Sequence, residues 1–349
     1  MAAPPQIVQE TNVRALDLSI AGPSFQRFPE PRDPAPSSEI VQAHPARSLP
    51  LLFFAHSSGR CCILVGRANT PMSHTHQNFF FAAVGDTHGA MHAMVRLLSA
   101  WEKRSKRSLS LVFQVGDFEP HRHEADLATM AAPAKYKQLG DFSDYASGAK
   151  VFPWPLYFIG GNHEPYGFLD ARPEGFELTP NCHYLGRASA IELHGLRIVG
   201  LSGIYREDAF QQTRPPLSSI GKVSNKAFTY FTEGDIERAL GFERADVLLL
   251  HDWPEAIVDP ADAEDFEQQR RSMRYDKVGN EYGRLLADGL RPQLILCGHM
   301  HKSYRATIRH PTGDVTEVCC LANVQQGSSA TAVFQVADGR IREVSPIGA

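Results

Sequence analysis

Six largely apolar runs dominate the chain: Phe79 to Val84, Leu109 to Val115, Pro155 to Ile159, Leu196 to Leu201, Val247 to Leu250 and Leu294 to Cys297. Each meets a Gly or a His within two residues of its end. Runs this short and this continuous read as strands covered on both faces, because a half-exposed strand would alternate with polar residues. Several of the intervals carry apolar residues three and four apart, as in Met91, Met94, Val95 and Leu98, or Tyr282, Leu285 and Leu286, which is helical spacing. Strands alternating with helices predict an α/β sandwich. Near the end, Ala332 to Val336 and Ile341 to Val344 flank Asp338-Gly339, a hairpin signal.

Composition narrows the function classes. The chain has 349 residues, 43% of them apolar and 21% charged, and no stretch approaches the roughly 20 unbroken apolar residues of a membrane span, so no membrane partner is expected. The net charge of −4 lacks the basic excess that non-specific nucleic-acid binders use, so any polyanion must be met locally. Six cysteines, four of them in the adjacent pairs Cys61-Cys62 and Cys319-Cys320, do not form a spaced disulfide framework, and a reducing cytoplasm is the expected location. The first 71 residues hold ten of the 24 prolines and no lysine. Proline at that density blocks helices and sheet ladders, so residues 1–75 are read as a proline-rich, disordered leader and 76–349 as the folded domain. A partner-binding tail, or a true start at Met72, are the other readings of that leader.

In α/β sheets the loops leaving the strand ends hold the site. Five of those ends carry metal-ligand residue types: Asp86 and His88 in Gly-Asp-Thr-His-Gly, Asp117 in Gly-Asp-Phe, Asn162 and His163 in Gly-Gly-Asn-His-Glu, His251 in Leu-His-Asp-Trp-Pro, and His299 and His301 in Gly-His-Met-His. The set offers carboxylate, amide and imidazole but no thiolate, which suits two divalent ions of intermediate hardness such as Mn²⁺, Fe²⁺ or Zn²⁺. A single carboxylate, Asp117, could bridge ions held about 3.5–4 Å apart.

In this order, from about Phe80 to Arg305, the motifs resemble those of the calcineurin-like metallophosphoesterases. The resemblance implies a β-sandwich flanked by helices (αββα). It implies one ion on Asp86, His88, Asp117 and His301, and a second on Asp117, Asn162, His251 and His299. His163 is left facing the scissile phosphate, where it stabilises or protonates the leaving oxygen. The implied chemistry is hydrolysis of a phosphate ester by a hydroxide that two metals activate. Further segments, among them Met130 to Tyr136, Phe142 to Ser147, Asn181 to Gly186 and Gly195 to Tyr205, are similar to RNA lariat debranching enzymes, which cut a 2′–5′ phosphodiester. Two features depart from that group. Asp86 stands where debranching enzymes typically carry Cys, and those enzymes extend through a C-terminal domain that a chain ending at Ala349 is too short to contain. The expected partner is thus a phosphoester substrate, nucleic acid or nucleotide, with a phosphodiester preferred over a phosphomonoester. Gly116-Asp117-Phe118-Glu119 also lacks the Asp-Arg-Gly continuation of phosphoprotein phosphatases. A non-catalytic scaffold of the same family is the reading from another class; the complete ligand set disfavours it.

Other residues invite functional readings. Lys103 to Arg107 is taken as a solvated helix end, His121 and His123 as non-ligands in a polar loop, and Ala261 to Arg274 as a charged helix. Tyr205 and Trp253 are aromatic enough to stack a base or simply to pack. Glu119, Glu164 and Asp252 are the candidates to orient His163.

Overall fold

A computed structural model describes residues 78–269 and 278–344. Contacts divide the chain into Met1–Asn69 and Thr70–Ala349, and every described residue belongs to the second unit. The leader, Cys61-Cys62 and the stretch from Arg270 to Arg274 lie outside the described residues.

The strands in chain order are β1 (Phe79–Val84), β2 (Leu111–Gln114), β3 (Leu156–Phe158), β4 (Phe176–Thr179), β5 (Cys182–Tyr184), β6 (Ala188–Leu193), β7 (Leu196–Leu201), β8 (Val247–Leu250), β9 (Leu294–Cys297), β10 (Tyr304–Arg309), β11 (Val315–Cys320), β12 (Thr331–Ala337) and β13 (Arg340–Glu343). They form a seven-stranded sheet ordered β13-β12-β1-β2-β3-β5-β4 and a six-stranded sheet ordered β10-β11-β9-β8-β7-β6. In the first, β1, β2, β3 and β5 run parallel; in the second, β7, β8, β9 and β11 do.

Three apolar clusters show why the six runs are continuous. On β1, Phe79, Phe81 and Ala83 join β2's Leu111 and Phe113 in a central core shared with Ile198, Leu249 and Leu296 of the other sheet. Their neighbours Ala82, Val84 and Val112 belong to a second core on the helix side, with Met91, Met94, Leu98 and Trp101 of helix Met91–Ser105. Leu248, Leu250, Ile295 and Cys297 make the third core, with Ile236 of helix Glu233–Leu240 and Leu286 and Leu290 of helix Glu281–Leu290. Successive strand residues point to opposite faces, and here both faces are apolar. The result is the expected helix–sheet–sheet–helix stack. Phe81, fully buried and stacked on Phe334 with centroids 5.1 Å apart, sits at its middle; truncating such a side chain costs about 3–5 kcal/mol.

Helix Met91–Ser105 ends where Lys106 turns left-handed (φ 56°) and returns its N–H to the Glu102 carbonyl, with Lys103 and Arg104 complementing the helix dipole. Arg107 lies over the Phe80 ring, so this basic segment acts as a helix end. The hairpin β12–β13 forms around Asp338 and Gly339, both at positive φ. Cys319 and Cys320 face opposite cores on β11, and Cys182, Cys297, Cys319 and Cys320 are buried free thiols. No helix among the described residues is long and apolar enough to cross a membrane.

Candidate metal centre

The parallel strands bring their C-terminal ends to one edge of the stack, and the five motifs follow β1, β2, β3, β8 and β9 there. Backbone bonds lock the loops together: Thr87 and His88 donate N–H to the Asp117 carbonyl, and Gly298 donates to the carbonyl of His251. The two sheets are joined where His299 N–H donates to Asp86 Oδ1 at 2.9 Å. His88, Asp117, Glu119, His299 and His301 all adopt positive φ, between 45° and 66°. Non-glycine residues held there cost about 1–3 kcal/mol each and cluster at functional sites, where the surroundings over-determine them. In this protein the strain turns side chains inward.

Two ligand clusters result. One atom each from Asp86, His88, Asp117 and His301 lie within 4.8 Å of one another, as do atoms from Asp117, His251 and His299. Asp117 belongs to both. In the first, His301 Nε2 is 3.0 Å from Asp86 Oδ2 and 2.9 Å from His88 Nε2. In the second, His251 Nε2 stands 3.5 Å from Asp117 Oδ2, and the Asn162 amide oxygen lies 3.3 Å from the same nitrogen. All seven expected ligands therefore meet.

The donor set fits divalent cations. Asp86 is fully buried, yet its Oδ2 accepts no hydrogen bond, an orphaned acceptor that a cation would satisfy. His251 Nδ1–H donates to the Val115 carbonyl at 2.8 Å and His88 Nδ1–H to Glu119 Oε1 at 2.8 Å, so each ring points its Nε2 into its cluster. Electrostatics agree. Burial disfavours a charged His251, but the Asp117 carboxylate overcomes it and pushes the imidazole up to about 10. His88 is half-buried, and against that burial Glu119 with Asp117 and Asp86 lifts it to about 9. Asp117 is held well below the usual carboxylate range despite its burial, by His251, His163 and His88. A divalent ion bound there would displace those protons, since a coordinating imidazole must be neutral.

His163 behaves differently. Its backbone N–H donates to Asp117 Oδ1 at 2.8 Å, while its ring stands edge-on to His88, centroids 5.5 Å apart, in the cavity beside the first cluster. Burial keeps its pKa below the ordinary value, with Asp117 opposing. None of the three carboxylates considered to orient this ring does so. Glu119 bonds His88. Glu164 accepts the backbone N–H groups of Phe118, Glu119 and Gly161, and Asp252 accepts from the Asn280 amide and the Trp253 N–H. The carboxylate nearest His163 Nε2 is that of Asp117, at 4.0 Å.

Several supporting roles are visible only in three dimensions. Buried Glu164 ties the Gly-Asp-Phe loop to the Gly-Gly-Asn-His loop; its own burial and the Asp117 charge push it up to about 8. Gln114, fully buried on β2, donates to the Gly85 and Gly116 carbonyls and so holds the first two motif loops. Trp253 is fully buried and donates Nε1–H to the Gly298 carbonyl, which makes it a packing residue. Tyr205 packs among Phe210, Phe231 and Tyr282. His121 stays outside the clusters as expected, although it is fully buried and pushed down to about 4 by that burial, where the sequence suggested a polar loop.

A sandwich whose strand ends bring these motifs together belongs to the calcineurin-like phosphoesterases, and the model of that family matches residues 81–303. Within it, the chain is 35% identical over 237 residues to a lariat debranching enzyme of Entamoeba histolytica, an alignment covering 66% of each chain. It is 29% identical over 264 residues to that of Arabidopsis thaliana, covering 73% of this chain and 62% of the relative. Against the Caenorhabditis elegans enzyme it is 32% identical over 242 residues, 66% of this chain and 48% of the relative. The alignments thus span about half to two thirds of these relatives' lengths.

Proposed function

We propose that the chain is a metal-dependent phosphoesterase acting on a phosphodiester of a nucleic acid or nucleotide. The observation that carries this reading is the pair of ligand clusters sharing Asp117, with His163 free of both and open to the same cavity. Asp86, His88, Asp117 and His301 would hold one ion and Asp117, Asn162, His251 and His299 the other, with Mn²⁺, Fe²⁺ or Zn²⁺ suiting the donors. Bound there, the ions would supply charge withdrawal from the phosphoryl group and an acidified water. The protein's part is to fix both donor sets on strained loops, to orient His88 and His251 through their Nδ1–H bonds, and to present the His163 ring to the leaving oxygen. His163 rests neutral, and an incoming phosphate would raise its proton affinity when an acid is needed.

A diester is favoured over a monoester because, among the described residues, no Arg or Lys lines the cavity, and those are the groups that clamp a dianionic phosphate. The names of the relatives make a 2′–5′ linkage the first diester to try. Residues 76–349 would be the catalytic unit, and the buried free thiols suit a reducing cytoplasm. The test is a hydrolysis panel on protein stripped with chelator and then resupplied with Mn²⁺. The panel holds bis-p-nitrophenyl phosphate, p-nitrophenyl phosphate, cyclic nucleotides and a 2′–5′ branched RNA. Diester cleavage should vanish on stripping and return with the ion; undiminished turnover without detectable metal would remove the mechanism.

A further inference from the structure

The chain carries a net charge of −4, and among the described residues no Arg or Lys lines the metal cavity. Cations gather instead in a second cavity of about 370 Å³, whose lining holds Arg206, Arg214 and Lys226 against one carboxylate, that of Asp208. The two cavities share no lining residue, yet they open off the same edge of the stack. Ser202 Oγ accepts the Gly160 N–H and the Gly203 N–H donates to the Gly160 carbonyl, each at 2.8 Å. The chain leaving β7 is thereby tied to the loop that carries Asn162. Ile204 then pairs with Tyr230, which joins the two walls of the cavity, 206–215 and 224–232. Arg206 follows Gly203 by three residues, so its Cα lies within about 11 Å of that tie.

Much of this charge is uncommitted. Arg206 grips both oxygens of Asp208 through Nε and one terminal nitrogen, at 2.7 and 2.9 Å, and its other terminal nitrogen has no partner among the described residues. Arg214 donates from one terminal nitrogen to Asp235, while its Nε is buried with no hydrogen-bond partner among the described residues. The Lys226 ammonium forms no ion pair there, and the Thr213 and Ser224 hydroxyls donate to no acceptor. Leaving a buried guanidinium N–H unpaired is costly, and an acceptor brought by a ligand relieves it. Donors without matching acceptors select an anion. Because these donors converge from three separate segments, they suit the tetrahedral oxygens of a phosphate better than the two coplanar oxygens of a carboxylate.

We propose that this cavity is a second phosphate site, which holds a backbone phosphate of a nucleic-acid strand whose reacting phosphodiester lies at the metal clusters. The proposal rests on the phosphoesterase reading for the reacting group, and it adds that the substrate is a strand longer than one nucleotide. An acidic protein must meet such a polyanion through a local cluster. Each phosphate neutralised on a single strand steepens the fall of log K with log salt by about 0.7.

The probe is a ten-uridine strand with phosphorothioate linkages, which keep the charge and resist hydrolysis, followed by fluorescence anisotropy on the Mn²⁺-loaded full chain. Lys226→Gln, at an exposed position, should weaken binding by about 3-fold or more at about 50 mM salt and flatten the salt slope by about 0.7; Lys226→Arg should restore both. A slope that Lys226→Gln leaves unchanged, or a strand that the wild type does not bind, would overturn the site. Displacement of the strand by polyglutamate of equal charge as readily as by unlabelled strand would also overturn it, making the cavity a dock for an acidic protein segment. Equally ready displacement by inorganic phosphate, at the same phosphate concentration, would reduce it to a free-anion site and overturn the strand. The two readings fail separately. Strand affinity that depends on Lys226, in a protein that hydrolyses none of the panel, would sink the phosphoesterase reading and leave the site, whereas turnover with strand affinity indifferent to Lys226 would do the reverse.

Discussion

Asn162 and His163 are adjacent in the chain, yet the backbone sends them to different tasks. Asn162 turns its amide oxygen toward His251 Nε2, whereas the His163 ring lies beside His88 and supplies no atom to either ligand cluster. Removing the His163 ring should therefore leave the ions in place. We expect His163→Asn to retain the wild-type metal content by elemental analysis while kcat falls about 10²–10⁴-fold, the scale of a lost general acid. The loss should be smaller for a nitrophenolate leaving group than for a ribose hydroxyl, whose alkoxide is far more basic. An equal loss on both substrates would make His163 a stabiliser of phosphoryl charge, and loss of metal would make it a ligand. Its distance from every carboxylate but Asp117 agrees with a ring that is fixed by its backbone and free to take a proton from solvent or substrate.

At the level of elements, the site is a meeting of strand ends, and how closely they meet is set by small residues. Gly161, between β3 and Asn162, leaves no room for a Cβ: one built there would stand 2.2 Å from Asp117 Oδ1 and 2.7 Å from His251 Nε2. Gly161→Ala removes no ligand, yet it should weaken metal binding at least tenfold at both clusters, because it displaces the shared Asp117. Metal titration of the variant, with circular dichroism to confirm the fold, checks this; two ions per chain at wild-type affinity would contradict a shared Asp117. The elements that hold the ligands are the ones the sequence declares. β1, β2, β3, β7, β8 and β9 read as continuous apolar runs because each is covered on both faces. β6 and β10 do not, since Ala188–Leu193 is half-exposed and Tyr304–Arg309 alternates with polar residues at a sheet edge. The short β4 and β5, and β11 with its Thr316 and Glu317, are equally silent. Ligand types are legible for the same reason, as polar residues that end apolar runs. Their supports are not: Glu119 reaches His88 across 31 positions and Glu164 reaches Phe118 across 46, separations at which local patterning carries no information. Residue type alone names Glu119, Glu164 and Asp252 as partners for His163, and even Glu164, its neighbour in the chain, bonds elsewhere, to the backbone of Phe118, Glu119 and Gly161.

For the whole molecule, we propose that residues 76–349 fold and act without the proline-rich residues before them, since the first strand among the described residues begins at Phe79. A chain started at Met72 should keep its metal content and turnover; an insoluble product would show that the leader belongs to the core. A broader consequence follows from charge. In the metal-free protein His251 and His88 are lifted to about 10 and about 9, above the roughly 6.5 of an unfolded histidine. A folded-state value raised in this way gives stability that is fully present below pH 6.5 and is lost as pH rises through the folded values. Glu119 and Glu164, raised by burial to about 7 and about 8, act in the same direction, since ionising them in the fold is costly while the unfolded chain ionises freely. The melting temperature of the stripped protein should therefore fall steadily between pH 7 and pH 10. Ions require the same two imidazoles to be neutral, so uptake near pH 7.5 should release protons, seen as a calorimetric enthalpy that changes with the buffer's ionisation heat, and affinity should climb toward pH 9. With saturating metal the alkaline loss of stability should shrink, because the pairing that deprotonation destroys has already been exchanged for coordination. A stripped protein whose melting temperature stays flat or rises over that interval, or metal uptake without proton release, would mean that the clusters are not charged as the geometry requires.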